Sequence, residues 1–142
     1  MRVGFIGVGN MGRPMALNAI AAGFNVMVHD RSEDALAPFR AAGHRIAESL
    51  ADIASHAAIV ALIVRDDAQV NAVVGDLLPL TRSGGIIAVH ATVKPATIVA
   101  LAESACARGV SVIDAPISGG EKGAAAKTLW PDSPRIKTVV FV

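Results

Sequence analysis

A chain of 142 residues has room for one domain of ordinary size, and on length alone not for two. Thirteen basic against twelve acidic side chains give a net charge of +1 with no dense Lys/Arg block, which argues against a nucleic-acid or anionic-membrane surface. At 53% hydrophobic and 18% charged the composition excludes a disordered chain, and despite a mean hydropathy of +0.52 every stretch long enough to span a bilayer is interrupted by Gly, Pro or a charge.

Short apolar runs alternate with longer Ala-rich segments of helical spacing. The runs are Val3 to Ile6, Asn25 to His29, Ala58 to Val64, Gly85 to His90 and Val110 to Ile113, with Arg45-Ile46 as a further short strand. They are nearly continuous in Val and Ile, as strands covered on both faces should be. Ser32, followed by Glu33 and Asp34, reads as a helix N-cap, and Asp66 or Asp67 caps the segment through Val70 and Val74. Pro95 occupies a first-turn position, after which Ile98, Leu101 and Ala105 share one face. Gly23, Gly43 and Gly109 each close a helix just before a strand or short run. Strand and helix alternating in this way predict one doubly wound α/β domain built on a parallel sheet, a Rossmann arrangement. It is expected over residues 1–129. A turn-rich break, Trp130-Pro131-Asp132-Ser133-Pro134, then opens an atypical tail over 130–142 that ends in the apolar Thr138 to Val142.

The sharpest motif is Gly7-Val8-Gly9-Asn10-Met11-Gly12, a G-x-G-x-x-G directly after the first strand and opening the first helix. In such a turn the first glycine permits the tight bend, the second lets a pyrophosphate approach the backbone, and the third lets helix and strand pack closely. The N–H groups at the helix start favour phosphate charge. Asp30 ends the second strand 18 residues after Gly12, where an acid meets a ribose 2′-hydroxyl. The order of these features predicts dinucleotide binding over a structural turn or another nucleoside such as S-adenosylmethionine. Asp30 favours NAD; Arg31 beside it could hold a 2′-phosphate, which leaves NADP open.

A second motif, Asp114-Ala115-Pro116-Ile117-Ser118-Gly119-Gly120, lies at the carboxyl end of the last clear strand, where open α/β sheets bind ligands. On its own it reads first as an ordinary Gly-rich turn. Together, G-V-G-N-M-G-R-P-M and D-A-P-I-S-G-G-E-K-G-A resemble the β-hydroxyacid dehydrogenase family, which includes 3-hydroxyisobutyrate dehydrogenase, tartronate semialdehyde reductase and 6-phosphogluconate dehydrogenase. The resemblance runs from Met1 to about Leu129 and is to that family's N-terminal cofactor domain.

The resemblance implies further roles. The backbone of Val64-Arg65 would lie along the cofactor, Thr92 in Ala91-Thr92-Val93-Lys94-Pro95 would contact the nicotinamide side, and Ser118, Gly119 and Gly120 would bind the carboxylate or nearby hydroxyl of a small 3-hydroxy acid. Departures are also visible: Ala91 stands for the usual serine, Arg65 for a proline and Lys127 for a glycine. The family's catalytic lysine belongs to a later G-x-x-G-x-G-x-x-x-K segment that has no counterpart here. No catalytic residue is therefore assigned, and Lys122 and Lys127 are read as solvated.

The remaining chemistry-bearing residues have plainer readings. His29, His44, His56 and His90 show no metal spacing and are assigned to packing or solvent, although His29 or His90 at a strand end could touch a ligand. Cys106 reads as a small buried hydrophobe, Met11 and Met15 as packing residues, and Ser104 and Ser133 lack a nearby base. Three functions follow. One is an NAD(P)-dependent oxidoreductase of a small 3-hydroxy acid, cut short by truncation or frameshift after about Leu129 and weak alone. The others are a non-catalytic NAD(P)-binding module and an imine reductase relative. The expected setting is cytoplasmic, with no membrane or nucleic-acid partner. A second copy or the absent helical domain would complete the cleft.

Overall fold

The computed structural model describes residues 1–126 and the backbone of 130–131. In chain order the elements are β1 (Arg2–Ile6), α1 (Gly12–Ala21), β2 (Asn25–His29), α2 (Glu33–Ala41), β3 (Arg45–Ile46), α3 (Leu50–His56), β4 (Ile59–Leu62) and α4 (Asp67–Leu77). A 3-10 turn (Leu78–Leu80) leads into β5 (Ile86–Val89), α5 (Pro95–Cys106), β6 (Ser111–Asp114), β7 (Ile117–Ser118), α6 (Gly120–Ala126) and β8 (Trp130–Pro131).

Six strands form one parallel sheet in the order β3-β2-β1-β4-β5-β6. The chain winds outward from β1 in one direction and then from β4 in the other, so the crossovers leave on opposite faces. That reversal opens a crevice beyond the carboxyl ends of β1 and β4. Along β1 the side chains alternate between the two faces, as the pleat requires. Val3 and Phe5 join a core with Met15, Ala19, Val28, Leu36 and Phe39 under α1 and α2. Ile6 joins Ile53, Leu62, Val74, Leu77 and Val89 under the helices of the other face. Burial on both faces explains the unbroken apolar runs, since each fully buried Val or Leu is worth about 2 kcal/mol and neither face faces water.

All six predicted strands are present. The run Ala58 to Val64 yields only the four-residue β4, and Ile63 and Val64 beyond it form a wall of the crevice. Gly23, Gly43 and Gly109 close their helices at φ of +85°, +72° and +69°. Two helices escaped the sequence reading: the short α6, which carries the end of the Ser-Gly-Gly segment, and α3. The latter is held by a capping box in which the Ser49 hydroxyl accepts from the Asp52 N–H while the Asp52 carboxylate accepts from the Ser49 N–H. Cys106 is exposed, not buried: it is the last residue of α5, and Ala105 beside it takes the core-facing position. Beyond the main sheet, β7 pairs antiparallel with β8, so the expected tail begins with two paired residues. Lys127, Ser133 and the apolar end Thr138 to Val142 lie outside the described residues. Among the described residues no helix is long and apolar enough to cross a membrane.

Candidate cofactor site

The glycine turn is braced from both neighbouring strands. The Gly7 N–H donates to the His29 carbonyl at 2.9 Å, and the Ile63 N–H donates to the Ile6 carbonyl at 2.8 Å. Gly7 has φ of +87°, and a Cβ there would stand 2.0 Å from the Ile63 carbonyl oxygen. A Cβ on Gly12 would stand 1.9 Å from the Gly7 carbonyl oxygen. Both glycines are therefore demanded by the chain's own packing. Gly9 is different: it is exposed, and an added Cβ meets nothing within 4 Å. No internal contact asks for glycine there.

The helix that follows starts without a side-chain cap, with Met11 in the N-cap position. Its neighbours α2, α3 and α4 are capped by Ser32, Ser49 and Asp66. At α1 the Arg13 N–H reaches the Gly9 carbonyl at 2.9 Å, whereas the N–H groups of Asn10, Met11 and Gly12 find no protein acceptor among the described residues. Unsatisfied donors at the positive end of a helix dipole, beside open space, suit an anionic oxygen.

These groups open onto a cleft of about 710 Å³ at the crevice between β1 and β4. The glycine turn lines one side with Gly7, Gly9, Asn10, Met11 and Gly12; the end of β2 contributes His29, Asp30, Arg31 and Ser32; the loop after β4 brings Val64 and Arg65. Val8 is buried at 0% exposure and serves the turn through its backbone. The first turns of α4 add Gln69, Ala72 and Val73, which the sequence reading missed. Their i, i+3, i+4 spacing marks one helical face, but only the tertiary fold turns that face toward the cleft.

Asp30 has a second job that its position in the sequence did not disclose. One carboxylate oxygen accepts from the Val8 N–H at 2.8 Å and the other from the Ser32 N–H at 2.9 Å. It thus clamps the glycine turn to the start of α2 while lining the cleft. His29 also lines it, with Nδ1 3.1 Å from the Ala47 carbonyl oxygen.

The other predicted residues sit elsewhere on the same edge. Thr92 and the Ser118-Gly119-Gly120 loop are exposed beyond β5 and β6 and do not line this cleft. The loop carrying Thr92 is pinned by Asp67, whose carboxylate accepts from the Thr97 hydroxyl and, at 3.0 Å, from the Lys94 N–H. These bonds, the Thr97 hydroxyl first, hold its carboxyl below the usual carboxylate range. Asp66, not Asp67, is the cap of α4, accepting from the Gln69 N–H at 2.9 Å. The second loop is tied to β5 by His90, whose Nδ1 donates to the Ala115 carbonyl at 2.9 Å. A carbonyl only accepts, so Nδ1 carries the proton and Nε2 keeps a lone pair, buried and without a partner among the described residues. Burial lowers the pKa of His90, and burial raises that of Asp114 at the end of β6. No group of His, Cys, Asp and Glu among the described residues could hold a metal ion.

Comparison with known proteins agrees with this geometry. The family model for the NAD binding domain of 6-phosphogluconate dehydrogenase matches residues 2–130. An uncharacterized oxidoreductase of Mycobacterium tuberculosis is 39% identical over 127 residues, covering 87% of this chain and 43% of its own length. The solved structure of 3-hydroxyisobutyrate dehydrogenase from M. tuberculosis with L-serine superposes at a TM-score of 0.87 with 30% identity, covering 92% of this chain and 45% of that one. Psf3, solved in complex with NADP+ and 2-OPP, gives a TM-score of 0.82 with 27% identity over 89% of this chain and 46% of that one. The chain thus spans less than half the length of these relatives. With the family model matching residues 2–130, nearly the whole described chain, the chain belongs to the family of the NAD binding domain of 6-phosphogluconate dehydrogenase.

Proposed function

We propose that this chain is the cofactor-holding part of an oxidoreductase that moves a hydride between NAD(P) and a small 3-hydroxy acid. The observation that carries the reading is the start of α1, where a helix lacks any side-chain cap and its free N–H groups adjoin the empty space at Gly9. The pyrophosphate would rest there, on Asn10, Met11 and Gly12, and the adenosine ribose would meet Asp30. The nicotinamide, when bound, supplies the hydride chemistry itself. Thr92, on the loop that Asp67 pins, would border the nicotinamide. Ser118, Gly119 and Gly120 would offer a hydroxyl and backbone N–H groups to the substrate's carboxylate.

Proton transfer to or from the substrate oxygen is not assigned to any residue of this chain. Lys122, the cation nearest the Ser-Gly-Gly loop in sequence, is exposed. Turnover by the chain alone should accordingly be weak or nil, since positioning and acid–base groups are each worth orders of magnitude in rate.

The test is a fluorescence titration with NADH and NADPH of the wild type and of Gly9→Asp. The substitution has room and leaves the fold intact, but it sets a carboxylate against the pyrophosphate. Affinity should fall at least about thirtyfold with unchanged melting, and equal binding by both proteins would sink the reading.

A further inference from the structure

The loop from Ala91 to Lys94 leaves the sheet one strand beyond the cleft. At its head the His90 N–H donates to the carbonyl of Leu62, the last residue of β4, at 2.9 Å. Ala91 is buried in the core and Val93 packs against the same cluster, so Thr92 stands exposed between two anchored neighbours. At its far end the loop runs into α5, which begins after Lys94, a residue whose side chain makes no cap. The group that meets this helix start comes from α4. One oxygen of the Asp67 carboxylate, Oδ1, accepts from the Lys94 N–H at 3.0 Å and also from the Thr97 hydroxyl, across 27 and 30 residues of chain.

The same helix serves the cleft. Gln69, Ala72 and Val73, in the first turns of α4, line it, and the Gln69 side-chain carbonyl accepts from the Arg65 N–H at 3.1 Å. The helix is already capped by Asp66, which leaves the Asp67 carboxylate for the loop. One short stretch, Asp66 to Val73, thus fixes a wall of the cleft and the height of the Thr92 loop beside it. A loop held in place before a ligand arrives spares the ligand the cost of ordering it.

We infer that Asp67 and Thr97 are positioning residues for the nicotinamide half of the cofactor: through the start of α5 they tie the Thr92 loop to the helix that walls the cleft. The inference rests on the cofactor reading above. Neither residue touches the ligand; both act through the backbone that carries Thr92. Their loss therefore weakens the hold on the nicotinamide end and leaves the hold on the pyrophosphate and adenosine, which belongs to the glycine turn and the end of β2, as it was.

The test sets NADH, whose fluorescence reports on the nicotinamide end, against ADP-ribose, which keeps the pyrophosphate and adenosine and lacks the nicotinamide. Both are titrated into the full 142-residue chain, with NADPH and 2′-phospho-ADP-ribose as a matching pair. Wild type should hold the reduced dinucleotide at least about fivefold more tightly than its ADP-ribose counterpart. Asp67→Ala should lose about fivefold for the dinucleotide and less than about twofold for the ADP-ribose, with a smaller rise in NADH fluorescence. Thr97→Val, which keeps the side-chain shape, should lose about threefold in the same one-sided way, and it decides the matter if Asp67→Ala does not fold. Asp67→Asn, which keeps an acceptor oxygen, should recover most of the loss. Unchanged dinucleotide affinity in the variants, whatever their melting, overturns the inference and leaves the bonds as a tie between two helices. Equal losses for both ligands overturn it as well, by assigning Asp67 to the frame of the whole cleft. So does a wild type that holds the two equally, and in that case the pyrophosphate site still stands. Failure of all four ligands to bind the wild type would overturn the cofactor reading and the inference together.

Discussion

The carboxyl edge of the sheet has two unlike halves. Beyond β1, β2 and β4 the backbone is packed to the limit at Gly7 and Gly12, yet it leaves space at Gly9, free N–H groups at α1 and the two unpaired arginines Arg31 and Arg65. Beyond β5 and β6 the polar groups are turned inward: Asp67 holds Lys94 and Thr97, and His90 holds Ala115. One half is a binding surface kept open by a rigid frame. The other is a pair of loops held in place by bonds to their own neighbours, with their exposed residues Thr92, Ser118, Gly119 and Gly120 outside the lining of the first cleft. A site that grips a large ligand needs the first kind of construction; a site that only borders it needs the second.

The contrast breaks most visibly at the glycines. Gly7→Ala forces a positive φ on a residue whose Cβ would collide with the Ile63 carbonyl, and it should cost about 3 kcal/mol or more in urea unfolding. Gly9→Ala, two residues away, should unfold within about 0.5 kcal/mol of wild type and yet bind NADPH about tenfold more weakly. If the two variants were equally destabilised, Gly9 would be structural and the open half would lose its meaning. A middle-sized effect is expected at the border of the halves. Asp66→Ala removes the cap of α4 and should cost about 1 kcal/mol of stability with cofactor affinity unchanged.

The smallest effect belongs to the inward-tied half. His90 is buried with its pKa lowered from 6.5 by desolvation, so the unfolded chain takes up a proton that the folded chain refuses. Its contribution is present at neutral pH and is lost as pH falls from about 6.5 toward the lowered value. The urea midpoint of wild type should therefore drop between pH 7.5 and 5.5 by more than that of His90→Gln, on the order of tenths of a molar in urea. Identical pH dependence in the two proteins would mean that the buried Nε2 finds an acceptor on protonation.

Much of this molecule is local and so legible along the chain. The central strands β1, β4 and β5 are near-continuous apolar runs because both their faces are covered, and three of the helices announce their starts through Ser32, Asp66 and Pro95. The helix α3 carried an equally local signal in Ser49 and Asp52, but its seven residues lack a long apolar repeat to draw notice. Side-chain burial at helix ends was less legible, since a rotation of one residue separates buried Ala105 from exposed Cys106.

The sequence by itself determined the α/β alternation, the glycine turn and the presence of an acid where the second strand stops, because these depend on backbone sterics and on neighbours a few residues away. Only the tertiary structure decided that Gly12 is demanded by the Gly7 carbonyl and not by an adjacent strand, that Asp30 clamps Val8 and Ser32, and that Arg31 and Arg65 share a cleft. Arg31 and Arg65 lie on loops far apart in the chain. They come to line one cleft because β2 and β4 flank β1, and that order is set by how the helices cover the two faces of the sheet, a property of the whole fold that no short stretch of residues contains.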